Sequence, residues 1–183
     1  MEMKELVIQL KEQFSISKVE KVKSNLTFFT VDAQKLLPLI TNMKTNYGYT
    51  VLVILTAVDW LEDNKFQLTY VVNNPELKTD IGIRVFIDRE KAEMESIHHL
   101  WEFVATFQRE IKEMYGIDFP GSPRVDESFL LEGWDNMPPM RRDFDTKKYS
   151  EETFFPRPGR ETNDPGDYMK QKLFPDEPTK DKA

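Results

Sequence analysis

No cysteine occurs among the 183 residues. Disulfides, thiolate nucleophiles and cysteine-ligated zinc or iron–sulfur clusters are therefore excluded on chemical grounds, and a reducing compartment is compatible with the composition. Histidine is nearly as scarce, His98 and His99 being the only two. Adjacent on a helix they would point about 100° apart, which is not the i, i+4 ligand pair of a zinc protease. Glycine is limited to seven residues, with no G-x-G-x-x-G among them. Gly116 and Gly121 have a phosphate-loop separation, but Ser122-Pro123 follows where such a loop needs Lys and Ser or Thr. Long apolar runs are missing too: Val51 to Val58, interrupted by Thr56, falls far short of the ~20 residues that cross a bilayer. The opening MEMKELVIQLKEQF is charged throughout and lacks the apolar core of a signal peptide. Any membrane association is expected to run through a partner.

Clustered positive charge is also absent. A net charge of −7 and a pI near 5.0 argue against phosphate-backbone binding, which needs Lys and Arg in groups that displace counterions. Proline is almost missing from the first part of the chain and abundant afterwards. Only Pro38 and Pro75 precede Gly116, and the other nine of the 11 follow it. Each proline removes a backbone donor and fixes φ, which disfavours long helices and central strands. The chain thus divides into a domain over residues 1–115 and an arm over residues 116–183.

Within the domain the hydrophobic periods are legible. Met3, Leu6, Val7, Leu10 and Phe14 recur at helical spacing. Val19–Lys23 and Leu26–Val31 read as a hairpin across Ser24-Asn25. A second helix is expected after a cap at Asp32, with Leu36, Leu37, Ile40, Met43 and Tyr47 on one stripe, Pro38 delaying or bending it, and Gly48 stopping it. Thr50–Val58, nearly all apolar and β-branched, has the pattern of a strand buried on both faces. Phe66, Leu68, Tyr70 and Val72, then Ile81, Ile83, Val85 and Ile87, alternate as half-buried antiparallel strands do, with a loop at Asn73-Asn74-Pro75. A last helix is expected to carry Ile97, Leu100, Trp101, Val104, Phe107, Ile111 and Met114 on one face. The order αββαβββα predicts an α+β fold, helices packed on one face of a mostly antiparallel sheet, followed by a long irregular C-terminal arm.

Candidate chemistry is sparse. The carboxylate pairs Asp126-Glu127 and Glu151-Glu152 could serve acid–base catalysis, but no apolar setting that would raise a pKa is expected around them. They read as solvated loops. The stretch from Gln108 to Pro123 is more telling. Arg109 and Glu110 lie off the stripe of Phe107, Ile111 and Met114, Gly116 supplies a left-handed stop, and Ile117 and Phe119 can fold back over the last turn. The arm beyond holds Phe119, Phe129, Trp134, Phe144, Tyr149, Phe154, Phe155, Tyr168 and Phe174, whereas disordered tails are poor in aromatics. Ordering such an arm costs ~1–2 kcal/mol per residue, so it needs a large surface to bury against. Arg141, Arg142 and Asp143 are expected to be its docking charges, and Asp176–Ala183 to fray.

In order along the chain, Arg109, Glu110, Met114, Tyr115, Gly116, Ile117, Phe119, Gly121 and Pro123, then Leu130, Leu131, Trp134, Pro139, Arg141, Asp143 and Phe144 resemble the signature of the 30-kDa subunit of respiratory complex I, also named its C subunit. That signature runs approximately E-R-E-x-x-D-[ML]-[FY]-G-I-x-F-x-G-H-P, then L-L-x-x-D-W-E-G-x-P-L-R-K-D-[FY]. Upstream, Leu55–Asp59, Tyr70–Val72, Ser96-Ile97 and Leu100-Trp101 also sit where that family has them, so the resemblance covers about residues 50–145. Departures occur at Gln108 for Glu, Glu113 for Asp, Ser122 for His, and across Arg124–Ser128.

The resemblance implies a subunit with no catalytic site and no cofactor of its own, in the peripheral arm of an ion-translocating oxidoreductase of the NADH:quinone type. Iron–sulfur clusters would lie in its partners: a large hydrogenase-like subunit and a small cluster-bearing subunit. It implies a peripheral position on the cytoplasmic face of the cell membrane. Its interface would be Arg109, Glu110, Tyr115, Gly116, Phe119, Trp134, Arg141, Arg142, Asp143 and Phe144. The departures admit the equivalent subunit of a membrane-bound hydrogenase or sulfane reductase. A free-standing acidic enzyme or adaptor with a carboxylate-bound metal at the arm is the remote alternative.

Overall fold

Alternating burial along three consecutive strands organises the molecule. In the computed structural model, which describes residues 3–155 and 165–174, helix α1 (Met3–Phe14) leads into β1 (Lys18–Lys23) and β2 (Leu26–Thr30). Helix α2 (Ala33–Asn46), β3 (Val51–Trp60), β4 (Lys65–Asn74), β5 (Thr79–Asp88) and α3 (Val104–Tyr115) follow. The five strands form one sheet in the order β1-β2-β5-β4-β3. Three of its pairings are antiparallel, and β2–β5 is parallel. Two compact units divide the chain, Met1–Arg142 and Asp143–Ala183.

The inward positions of β4 and β5 are those the alternation predicts: Phe66, Leu68, Tyr70 and Val72 oppose Ile87, Val85, Ile83 and Ile81 in register, and all are buried. Phe29 of β2 lies beside Ile83 and extends the same layer. Leu6 and Leu10 of α1, Leu36, Leu39, Ile40 and Met43 of α2, and Val104 and Ile111 of α3 close the core over that face. Helix α2 begins at Ala33 despite Pro38, so the proline does not delay it. Asp32 holds the cap position through its backbone carbonyl, which accepts from Lys35 N–H at 2.9 Å, and not through its side chain.

Two sequence expectations are corrected. Strand β3 is not buried on both faces: it is an edge strand, with Val51, Val53, Ile54, Val58 and Trp60 each 40–51% exposed. An apolar β-branched run suits an exposed edge awaiting cover as well as it suits a central strand, and periodicity does not separate the two. The last helix starts at Val104 and not before Ile97; residues 97–101 form turns closed by Leu100 N–H to Ile97 O (2.9 Å) and Val104 N–H to Trp101 O (3.0 Å). Ile97 and Trp101 are nonetheless buried, so their spacing reports burial and not a helix.

The first unit does not stop at Gly116. Ile117 and Phe119 are fully buried, and their segment runs beside residues 92–94, with Asp118 N–H to Ala92 O at 2.7 Å and Met94 N–H to Asp118 O at 2.9 Å. Irregular backbone with fixed local bonds then continues to Arg142. The second unit contains short helices where an irregular arm was expected: α4 (Thr146–Phe154) and α5 (Pro165–Leu173). Proline disfavours helix interiors but not first turns. Residues 146–154 contain none, Pro165 opens its helix, and the Asp145 side chain caps α4 by accepting from Lys148 N–H at 2.9 Å. Within this unit Tyr149 packs on Phe144 and Phe154, at 5.6 and 6.1 Å between ring centres. The stretch Asp176–Ala183 lies outside the described residues. No helix among the described residues is long and apolar enough to cross a membrane.

Candidate functional site

The residues from Gln108 to Arg142 assemble around the C-terminal end of α3. Helix α3 ends on Gly116, whose φ of 75° is the left-handed geometry glycine adopts without a Cβ penalty, and whose N–H reaches Lys112 O at 2.8 Å. A second constraint acts at the same place. A Cβ on Gly116 would lie 2.9 Å from Arg141 Nη2 and 3.2 Å from Pro138 Cγ, because residues 138–141 fold back over the helix end. Met140 N–H donates to Met114 O (3.0 Å), and Arg141 Nε donates to Tyr115 O (2.7 Å). The guanidinium thus satisfies a terminal carbonyl and stands at the negative end of the helix dipole.

Beneath this clasp lies a buried ion pair. Asp59 occupies the inward parity of β3, and its side chain is only 1% exposed. Arg89, one residue past β5, binds it with both nitrogens, Nε to Oδ1 at 2.9 Å and Nη2 to Oδ2 at 3.1 Å. The same Oδ2 accepts the backbone N–H of Arg142 at 2.9 Å, and the Arg142 side chain pairs with Glu62. Phe66 joins the two motifs: the guanidinium carbons of Arg141 and Arg89 lie 5.3 and 5.7 Å from its ring centre, and Tyr115 meets it edge-on at 6.1 Å. Burial first, then the charges of Asp59 and Glu110, pushes the Tyr115 hydroxyl up. Bidentate geometry with an added backbone donor is the arrangement in which a buried charge is tolerated.

A second set of contacts holds the loop between. Glu113 accepts the N–H groups of Phe129 at 2.7 Å and Leu130 at 2.8 Å. Burial opposes its ionisation, yet the donors of Leu130, Phe129 and Leu131 and the charge of Arg109 hold its carboxyl below the usual range. The residue that bonds the loop is thus one at which the chain departs from the family signature, Glu for Asp. Lys112 bridges Asp118 (2.7 Å) and Asp126. Arg109 lies over Phe129 at 5.2 Å and 3.9 Å from Glu127. A polar cavity of about 280 Å³ opens among Arg109, Lys112, Glu113, Trp134 and Pro138.

The structure thus sorts the expected interface residues. Arg141 and the Arg142 backbone turn inward and clasp the domain, and Phe119 is fully buried in the unit's own core. Phe119 thus belongs to the core and the Arg141 side chain to the clasp, whereas the Arg142 side chain stays 51% exposed beside Glu62. Tyr115 and Gly116 form the base of the clasp. Trp134 is half-buried, its Nε1 donating to Met137 O at 3.1 Å. Glu110 is half-buried at the mouth of a groove of about 390 Å³ between β3 and α3. Asp143 and Phe144 open the second unit. The carboxylates considered for acid–base work pair with cations: Asp126 with Lys112, Glu127 with Arg124 at 2.6 Å, and Glu151 and Glu152 with Lys147 and Lys148 at 3.9 Å each. Among the described residues no three His, Cys, Asp or Glu side chains converge as metal ligands.

Sequence reasoning missed Arg89 altogether and quoted Asp59 only within the family-like stretch Leu55–Asp59 that follows the strand pattern. The available signal was parity: Asp59 shares the inward phase of Leu55 and Ala57, and an inward carboxylate needs a cation. Gln108, where the signature has Glu, is fully buried and accepts from Ser96 Oγ at 2.8 Å, and that hydroxyl also lies 3.1 Å from His98 Nδ1.

Comparison with known proteins is consistent with this geometry. Residues 29–150 match the family model described as respiratory-chain NADH dehydrogenase, 30 Kd subunit. The C subunit of the NADH-quinone oxidoreductase of Moorella thermoacetica is 32% identical over 114 residues, 62% of this chain and 76% of that protein. The C/D subunit of the same enzyme in a Hydrogenobaculum species is 26% identical over 151 residues, 75% of this chain but 25% of that longer protein. A chain of the archaeal membrane-bound sulfane sulfur reductase, a respiratory membrane complex, shares the fold with a TM-score of 0.75 at 24% identity, covering 88% of this chain and 96% of that one.

Proposed function

The chain belongs to the respiratory-chain NADH dehydrogenase 30 Kd subunit family, and on that premise we propose that it is a structural subunit without a cofactor of its own, docked on the large hydrogenase-like subunit of a membrane-bound oxidoreductase. In this reading it sits beside the small cluster-bearing subunit on the cytoplasmic face, where the iron–sulfur clusters belong to its neighbours. The observation that carries it is the apolar surface left open by a well-packed unit. Val51, Val53, Ile54, Val58 and Trp60 of β3 are all exposed, and Ile54 also lines the open groove between β3 and α3. Contiguous apolar exposure of this kind marks protein–protein contact. The existence of relatives named as a single C/D subunit supports a large partner.

The role of such a subunit is mechanical: it holds neighbouring electron carriers in register and binds no substrate. Tagged chain extracted with its complex from solubilised membranes is expected to bring down the large subunit in equal amount. Recovery of a monodisperse monomer whose residues 143–183 resist protease would overturn the reading. The departures from the signature at Gln108 and Ser122, both buried, admit a second reading, that the complex is a membrane-bound hydrogenase or sulfane reductase. The partner's sequence decides it. Two C-x-x-C pairs in the large subunit would indicate nickel–iron chemistry, and their absence a quinone- or sulfur-reducing relative.

A further inference from the structure

The two edges of the sheet are built differently. Strand β1, at one edge, carries Lys18, Glu20, Lys21 and Lys23, the charges that keep an edge from pairing with another chain. Strand β3, at the other, runs ten residues with no Lys, Arg or Pro, and its one charge, Asp59, is consumed by Arg89. Half of its N–H and C=O groups point away from β4, as in any edge strand. Its one irregularity is a register shift between Leu52 and Ile54, where Val53 and Ile54 are 51% and 41% exposed.

Helix α3 lies over the same margin of the sheet on the inner face. Between it and β3 runs the groove of about 390 Å³, lined by Leu55, Ala57, Phe107, Ile111, Met114 and Met140. A strand added alongside β3 would run along the mouth of this groove and send every second side chain into it. Glu110 also lines the groove. It is half-buried and its side chain forms no hydrogen bond or ion pair among the described residues, an arrangement that favours a cation from outside.

We propose that the free edge of β3 is completed by an extended segment of the large subunit, apolar at alternate positions and carrying Lys or Arg opposite Glu110. This rests on the assembly proposed above. A second copy of this chain is the poorer occupant. Antiparallel pairing of β3 with β3 offers no cation to either Glu110, because β3 contains none. In the C/D relatives, by contrast, the matching region and the rest of the protein are one chain, which holds a partner segment at high local concentration.

Hydrogen exchange on the intact extracted complex, compared with the isolated chain, tests the pairing directly. Amides of residues 51–58 are expected to exchange at least about tenfold more slowly in the complex. In parallel, Ile54→Lys and Glu110→Lys, with the circular dichroism of the wild type, are expected to lower recovery of the large subunit about tenfold, while Val22→Lys on β1 leaves it unchanged. A complex that forms with β3 amides exchanging as in the isolated chain overturns the pairing alone. So does protection of β3 in a homodimer that the large subunit does not alter. Absence of any complex overturns the assembly and the pairing with it.

Discussion

The two edge strands each carry a carboxylate bound by arginine, with opposite consequences. On β1, Glu20 is solvated and shared between Lys18 and Arg84 (2.6 Å); the hydrogen bonds from Lys18 and then Arg84 hold its carboxyl below the usual range. On β3, Asp59 is desolvated, bound at both oxygens by Arg89, and bonded to the Arg142 backbone. A charge at a wet edge keeps strangers away, whereas a charge at a dry edge fastens the protein's own chain. That leaves β3 free of outward charge along the rest of its length, anchored at one end and open along its side.

The contrast is broken hardest at Asp59. Replacing it by Ala removes the carboxylate that both Arg89 nitrogens and the Arg142 N–H bind, a loss of about 3–5 kcal/mol. Denaturant unfolding of Asp59→Ala against the wild type reads that loss; a change below about 1 kcal/mol would place Asp59 with ordinary surface pairs. Gly116→Ala comes next. The left-handed φ and the crowding by Arg141 and Pro138 are expected to cost about 1–2 kcal/mol and to loosen residues 138–142, seen as faster exchange of the Arg142 amide.

Glu113→Gln is smaller and depends on pH. The folded-state pKa is depressed below the ordinary 4.5, so the carboxylate's contribution is present above that value and lost as pH falls through the folded one. The wild type should exceed the variant by about 1 kcal/mol at neutral pH, and the margin should shrink below pH 4.5. A margin that grows on acidification would contradict the bonds to residues 129 and 130. At the bottom of the scale, Glu20→Gln is expected to leave the melting temperature within error, because solvent screens that pair.

Much of this was legible along the chain. The stripes of Leu6–Leu10 and Leu36–Met43, the alternation of Phe66–Val72 and Ile81–Ile87, and the stop at Gly116 are local patterns, and local sterics enforce them. The direction of Arg141 was not, since an Arg-Arg-Asp motif reads equally as a docking group or an internal clasp. Nor was the place of β3, whose hydrophobic run suits a central strand as well as an edge.

By itself, then, the sequence determined the kinds and order of the elements up to Tyr115, which side of β4 and β5 faces the core, and the family signature, because each is written in residues a few positions apart. Only the tertiary structure decided that β5 lies parallel to β2, that β3 stands at the edge, and that Asp59, Arg89 and Arg142 meet. Those depend on pairings between distant segments, where burial of the whole sheet face outweighs any local preference.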